Sequence, residues 1–311
     1  MNMRCIDFFC GGGGMTTAAV MAGLEPVFVA NHWETAVRTH ELNHPGVKHV
    51  VQDLMLYDFS LIPEHEVFLA SPSCQGFSNA RGRDRKHHDA LRATMWCVVS
   101  CAEMHRQPFI VVENVMEVLQ WELWPSWLHA MTAMGYHVTV SEVDAADLGV
   151  PQNRVRAFIL CTLDKHTKPV LQCQPQQSVR DHIDWGYANW SPIHKPGRSP
   201  KVLQQIERAR LDLADDSFLI PYYGSGSGLT GRSLDRPCGT LVAQDVWAVV
   251  RGDEMRMLQP HEYKAIMGFP DSYKLCGTRR DQIRMLGNAV CPPAMRDFLQ
   301  ASLGARNEPA S

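Results

Sequence analysis

The chain has 311 residues, of which 45% are hydrophobic and 20% charged, and a formal net charge of −3. That length suits one large domain or a larger and a smaller one, and the apolar share supports a packed core and excludes a globally disordered chain. The slightly acidic balance excludes a globally basic polyanion binder, so a nucleic-acid partner has to meet a local basic face. No apolar run approaches the length of a membrane span. Residues 1–4 lead into a strand-like run, not into the apolar centre of a signal peptide. The ten cysteines are scattered without a Cys-x-x-Cys pair, which suggests neither a zinc ribbon nor a disulfide framework. A reduced, cytoplasmic protein without metal, and a monomer, is the expectation.

Residues 4–10 read as a buried strand, Gly11–Gly14 as a glycine turn, and residues 16–22 as a helix. Strand, glycine turn and helix open a nucleotide-type α/β fold, and the turn serves equally as a tight bend or as a ligand cradle. Residues 26–30 give a second strand and 34–43 its helix. Asn31, His32 and Trp33 then fall beside a nucleoside bound at the turn, unless Trp33 packs and His32 is only solvated. Residues 48–51 form a third strand that ends near Asp53, which either bonds an adenine amino group or ribose hydroxyl or caps a turn.

Residues 66–70 are a fourth short apolar strand, followed by Ser-Pro-Ser-Cys-Gln-Gly-Phe-Ser from Ser71 to Ser78. Cys74 thus lies just past a strand end, beside the basic stretch 79–88 with Arg81, Arg83, Arg85 and Lys86. Neighbouring cations favour a thiolate, although a lone cysteine is more often a small buried hydrophobe. The basic stretch reads as a solvated loop or as a mobile phosphate grip. Residues 89–105 are helical. Residues 109–112 form another buried strand, ending in Glu113-Asn114-Val115. A carboxyl in the same row as Cys74 suits acid chemistry with a raised pKa, or a helix cap. Trp121, Trp124 and Trp127 read as packing.

Residues 137–142 and 157–161 look like paired strands. Between them, Arg154 and Arg156 stand two apart, so an extended backbone puts both guanidinium forks on one face, for a ligand or for surface ion pairs. From Asp164 to about Pro237 the chain is rich in Pro, Gly, Gln and Ser with little periodicity beyond a helix at 202–213, and basic side chains collect there. It reads as a small irregular domain. Residues 239–250 return to a strand pattern, 258–267 to a helical one, and Gly287-Asn288-Ala289-Val290 precede a last helix.

Six of these stretches occur together in an order that resembles the C5-cytosine-specific DNA methyltransferase family. They are Asp7–Gly14 (Phe-x-Gly-x-Gly-Gly), Pro72–Ser78 (the Pro-Cys-Gln loop), Glu113-Asn114-Val115, Gln152–Arg156 (Gln-x-Arg-x-Arg), Arg256–Pro270 (ending Gly-Phe-Pro) and Gly287–Val290 (Gly-Asn-x-Val). They span nearly the whole chain, and the loop variant, Asn31-His32-Trp33 and the short middle region look most like phage and prophage members.

The resemblance implies a Rossmann-like, S-adenosylmethionine-dependent α/β methyltransferase fold with a mixed sheet. Residues 1–164 and 277–311 would form the catalytic domain and 165–276 a small target-recognition domain. It implies double-stranded DNA as substrate, a flipped cytosine, Cys74 as nucleophile at C6, Glu113 as the acid at N3, Arg156 on the cytosine O2 and Arg154 in support. For the cofactor it implies Phe9, Gly11, Gly13, Gly14, His32, Trp33, Asp53, Leu54, Pro72, Asn288, Ala289 and Val290. For DNA it implies Gln75, Ser78, Arg81, Arg83, Arg85 and Lys86, in the cytoplasm of a bacterial or phage-infected cell.

Two departures stand out. His32 replaces a glutamate that in most members holds both ribose hydroxyls, and a neutral imidazole bonds one. Ser73 replaces a proline, which loosens the loop or adds a hydrogen bond. The short middle region predicts a short or relaxed recognition site. A transfer-RNA methyltransferase on the same scaffold, a catalytically inactive DNA binder and a small-molecule methyltransferase are the alternatives. The transfer-RNA class carries a Cys-Phe-Thr that is missing here, and Cys74, Glu113, Arg154 and Arg156 argue against decay.

Overall fold

Strands form where short apolar runs alternate between two covered faces. β1 (Arg4–Phe8) sends Cys5 to one side of the sheet and Ile6 and Phe8 to the other. β4 (Val67–Ala70) separates Val67 and Leu69 from Phe68 and Ala70, and β5 (Phe109–Asn114) separates Phe109 and Val111 from Ile110 and Val112. A period of two with apolar residues on both faces is what a sheet sandwiched by helices requires. The structure, a computed structural model, describes residues 2–73, 92–165, 168–222 and 231–304.

With β2 (Glu25–Asn31), β3 (Lys48–Val51), β6 (His137–Asp144) and β7 (Val155–Thr162), these strands form a seven-stranded sheet of order β3-β2-β1-β4-β5-β7-β6. The first five pair in parallel, while β7 runs antiparallel between β5 and β6. The chain order reverses between β1 and β4. In open α/β sheets the loops after two such strands diverge and leave a crevice for a ligand.

Helices α1 (Gly14–Met21), α2 (Glu34–Asn43), α3 (Thr94–His105), α4 (Trp124–Ala133), α5 (Pro200–Leu213), α6 (Pro260–Ile266), α7 (Arg279–Asn288) and α8 (Pro292–Gly304) follow in the described residues. α1 and α8 cover one face of the large sheet through Ala18, Ala19, Phe298 and Leu299, and α3 and α4 cover the other through Met95, Val98, Trp127 and Met131. Trp127 is fully buried, stacks on Trp124 at 5.2 Å and donates its indole N–H to the Met95 carbonyl at 3.0 Å, the packing role expected of it. The helix expected from residue 89 is described from Thr94 onward, and 89–91 lie outside the described residues.

The middle of the chain is more regular than its composition suggests. β8 (Ser191–Pro192), β9 (Ser217–Pro221), β10 (Arg232–Ser233), β11 (Trp247–Arg251) and β12 (Glu254–Met257) form an antiparallel sheet of order β10-β9-β11-β12-β8. α5 covers one face, packing Val202, Ile206 and Ala209 with Phe218, Ile220, Ala248 and Val250. The opposite face, Leu219, Trp247 and Val249, joins the core that contains α1 and α8, by way of Leu258, Tyr263 and Ile266. Strand pairing begins at Trp247, later than the pattern at 239–250 predicts. Residues 238–241 instead bond the 151–154 turn: the Cys238 amide donates to the Pro151 carbonyl and the Leu241 amide to Gln152 Oε1.

Candidate active site

The cleft is built from the ends of β1, β2, β4 and β5, the start of β7 and the end of α7. Phe9 follows β1 with φ 59, a left-handed conformation that costs a residue with a Cβ on the order of 1–3 kcal/mol. That bend turns the chain into Gly11 and α1. A Cβ on Gly11 would meet nothing closer than the Phe9 carbonyl at 3.9 Å, so the absent side chain leaves open space in the cleft. A Cβ on Gly14 would strike the Val290 carbonyl, so α1 and the Asn288–Val290 segment approach each other only because no side chain stands between them.

The turn rests on a buried polar network. Thr16 donates to Asp7 Oδ2 at 2.7 Å, His40 Nε2 lies 2.9 Å from the Thr16 hydroxyl, and His40 Nδ1 lies 2.8 Å from His49 Nε2. Donation in one direction, from His49 through His40 and Thr16 to Asp7, satisfies each contact with neutral imidazoles. Burial pushes the Asp7 carboxyl up to about 7, against the Thr16 bond, and pushes His40 well below the usual imidazole range. Tyr273 closes the network by donating to the Gly12 carbonyl at 2.5 Å.

A cavity of about 150 Å³ lies over this floor. Its lining brings together Phe9, Gly11, Gly14, His32, Trp33, Pro72, Asn288, Ala289 and Val290 with Glu113, Arg154 and Arg156, as the sequence reading expects. Asn31 accepts the Trp33 amide on its side-chain oxygen at 2.9 Å, which fixes the turn after β2. Asn114 donates to the Pro72 carbonyl at 3.2 Å, and the Ser73 amide donates to the Thr94 hydroxyl at 3.1 Å. A proline at 73 has no N–H to give, so the serine adds an anchor just before Cys74.

Glu113 is buried at the end of β5, and Arg156 Nε lies 3.2 Å from its Oε1. Burial raises the Glu113 carboxyl above the usual range, and Arg156 and then Arg154 pull it part of the way back. A carboxyl so poised holds a proton at a higher pH than an exposed one and can donate it to a ring nitrogen. Arg154 is 4% exposed and points elsewhere: Nη1 donates to the Leu241 carbonyl at 2.9 Å, and Nη2 to the Gly287 and Ala289 carbonyls at 3.0 and 2.9 Å.

Three expected cofactor residues do not line the cavity. Asp53 caps a turn by accepting the Met55 amide at 3.0 Å, Leu54 is buried in the core, and Gly13 packs under Tyr273 and His40. Cys74, Gln75, Ser78, Arg81, Arg83, Arg85 and Lys86 lie outside the described residues. Sequence reasoning did not single out Cys10, Met15, Ser71 or Met285 as lining residues, nor Arg284, whose guanidinium lies 4.5 Å from the centre of the Trp33 ring. The helical spacing of Arg284 and Asn288 was the available signal, since residues four apart share a helix face. Cys10 is the one described cysteine in the lining, and burial raises its thiol well above the ordinary value, which makes it a poor nucleophile. No group of three His, Cys, Asp or Glu among the described residues could hold a metal ion, and no described helix is long and apolar enough to cross a membrane.

A doubly wound sheet with a glycine-lined cleft at its switch point, and a buried acid and arginine on the cleft wall, defines a group-transfer enzyme of the α/β methyltransferase class. Residues 3–186 and 232–302 match the C-5 cytosine-specific DNA methylase family, and the chain belongs to that family. It is similar to the Type II methyltransferase M.HgiDI of Herpetosiphon aurantiacus, with 28% identity over 97% of this chain and 94% of that protein. It is also similar to the Type II methyltransferase M.NlaX of Neisseria lactamica, with 27% identity over 97% of each. A prophage-encoded DNA modification methyltransferase structure from E. coli shares the fold with a TM-score of 0.74 at 20% identity, covering 99% of this chain and 100% of that one. The S. pombe Dnmt2 methyltransferase does so with a TM-score of 0.71 at 16% identity, covering 99% and 100%.

Proposed function

We propose that the chain is a DNA (cytosine-5-)-methyltransferase that draws its methyl group from S-adenosylmethionine and attacks a flipped-out cytosine with Cys74. The observation that carries this reading is the buried Glu113 carboxyl, paired with Arg156 at 3.2 Å on the wall of a glycine-floored cleft that is also lined by Pro72 and Ser73, the residues that precede Cys74 in the sequence. The residues fit the cofactor. Phe9 and Trp33 offer rings for a purine, His32 and Asn31 offer polar groups for ribose hydroxyls, and the start of α1 faces the cleft with the polarity that suits a carboxylate. Bound there, S-adenosylmethionine supplies an electrophilic methyl group.

The chain's own residues make the base reactive. Cytosine C5 is a poor nucleophile, so the Cys74 thiolate adds to C6 and pushes electron density through the ring. Glu113 gives its proton to N3 and holds the charge that develops there; Arg156 bonds O2. C5 then behaves as an enamine carbon and takes the methyl group. Water takes the C5 proton, N3 returns its proton to Glu113, and the electron pair of the broken C5–H bond restores the C5–C6 double bond and expels Cys74 as a thiolate. The base leaves the stack because C6 is not reachable within the duplex. Arg81, Arg83, Arg85 and Lys86, with Gln75 and Ser78, grip the DNA backbone around it, and residues 165–276 carry target recognition at a short or relaxed site. Relatives named as Type II methyltransferases support this reading.

DNA synthesised with 5-fluorocytosine in place of cytosine tests the chemistry, because the fluorine cannot leave as a proton does. Incubation with S-adenosylmethionine should give a protein–DNA adduct that survives denaturing electrophoresis, absent for Cys74→Ser. No adduct with the unaltered protein would refute the nucleophilic route.

A further inference from the structure

The reaction just proposed gives Arg154 no work on the base, yet Arg154 is among the most buried charges in the protein. We infer that Arg154 is a positioning residue that locks the wall of the cofactor cleft to the seat of the small sheet, so that both are held by one side chain. This rests on the proposed function only for the identity of the ligand in the cleft.

Three chain segments meet at this guanidinium. The 151–154 turn supplies Arg154, whose own amide donates to Asp144 Oδ1 at 2.7 Å and whose carbonyl accepts the Ala145 amide at 3.2 Å. The 238–243 strip, which leads into β11 of the small sheet, supplies the Leu241 carbonyl. The end of α7 supplies the Gly287 and Ala289 carbonyls, and Ala289 and its neighbours line the cofactor cleft. Carbonyls at the end of a helix have no partner within it, so a cation there answers an intrinsic need.

The joint shows independently in the packing. A Cβ on Gly287 would collide with the backbone of Val242 and Ala243, so the strip and the helix touch backbone to backbone at the level of the guanidinium. Gln152, fully buried, accepts the Leu241 amide at 2.7 Å, and the Thr240 hydroxyl donates to the Asn153 carbonyl at 2.8 Å. The turn, the strip and the helix end are therefore tied pairwise, and the Arg154 guanidinium bonds backbone carbonyls of both the strip and the helix end. A lysine has one compact ammonium in place of the fork and reaches fewer of these carbonyls at good angles.

Hydrogen exchange on the ligand-free protein tests the lock without reference to activity. Arg154→Met should speed exchange at least tenfold at both the Leu241 and Ala289 amides, while the β5 amides of Val111 and Val112 stay protected. Arg154→Lys should fall between. The same variants should raise the KM for S-adenosylmethionine, and the Kd for S-adenosylhomocysteine, at least tenfold, with a smaller fold-change in kcat that is least in Arg154→Lys, which keeps the charge beside Glu113. Exchange unchanged at either the Leu241 or the Ala289 amide in Arg154→Met would overturn the inference. So would exchange raised evenly across β5, which is the signature of simple destabilisation. If the unaltered protein did not bind S-adenosylhomocysteine, the functional reading would fail, and the exchange pattern would still decide the role of Arg154.

Discussion

The Arg256–Glu262 pair fastens the small sheet to α6, and its removal has a size that can be worked out from its contacts. The two side chains are 2% and 0% exposed. Arg256 forks onto Glu262 at 2.7 and 2.6 Å and also donates to the Asp184 carbonyl at 2.8 Å. Glu262 further accepts the Asp184 amide at 2.8 Å and the Gln259 amide at 2.6 Å, the second as part of a capping box at the start of α6. Glu262→Ala leaves a buried guanidinium without its counter-charge, worth about 3–5 kcal/mol, and orphans two backbone amides, each about 1–3 kcal/mol. Neighbouring losses do not add, so the expected cost is about 5 kcal/mol, a large part of the stability of an ordinary domain.

The double change Arg256→Met with Glu262→Leu removes both charges but still deprives the two amides and the Asp184 and Met257 carbonyls of their partners, so it should cost about 3 kcal/mol, less than the single change. Urea unfolding followed by tryptophan fluorescence reads both values. A cost under about 1 kcal/mol for Glu262→Ala, or a double variant as unstable as the single one, would refute the assignment of this pair as the fastening.

Tyr273→Phe deletes the donor to the Gly12 carbonyl and should lower stability by about 1 kcal/mol, with a several-fold weaker Kd for S-adenosylhomocysteine measured by calorimetry. Gly14→Ala sets a Cβ against the Val290 carbonyl and should weaken that Kd at least tenfold; an unchanged Kd would mean that α1 and the Asn288–Val290 segment have room to spare. The pH dependence has two opposing contributions. His44 is held at about 4 by burial and then by His49, below an ordinary 6.5, so its contribution is complete above pH 6.5 and is lost as pH falls toward 4. Asp7 is raised from 3.8 to about 7, so its burial begins to cost stability as pH climbs past 3.8, and the cost is complete above 7. Asp7→Asn should therefore gain on the unaltered protein with rising pH between 4 and 7. Urea midpoints at pH 4.5, 6 and 8 check this, and a constant difference would contradict the burial argument.

Much of the cleft was legible because its chemistry is concentrated in short runs. The glycine turn, Glu113 after an apolar strand and two arginines in alternate positions each carry a local signal, and the fold brings them to one crevice. Asp53 was ambiguous because an aspartate after a strand serves a turn and a ligand equally well, and one of its oxygens caps the turn. Asp7 was hidden inside an apolar strand; its reason for being there is Thr16, nine residues on, and His40, which no local pattern links to it. The small sheet escaped notice because two of its strands are only two residues long, too short to show alternation. The spacing of Arg154 and Arg156 placed both on one face, for a ligand or for surface ion pairs, and the resemblance gave Arg154 a supporting role. Their backbone spacing is right, but three carbonyls that are distant in sequence draw Arg154 inward.

Nucleoside mass spectrometry of unmethylated plasmid DNA, incubated with purified protein and S-adenosylmethionine, decides whether the protein transfers a methyl group to cytosine. The expected result is 5-methyldeoxycytidine with the unaltered protein, none with Cys74→Ala, and a loss of at least a hundredfold in rate with Glu113→Gln, the scale of a positioned general acid. Unchanged cytosine after incubation with the folded protein, or 5-methyldeoxycytidine that persists in Cys74→Ala, would contradict it.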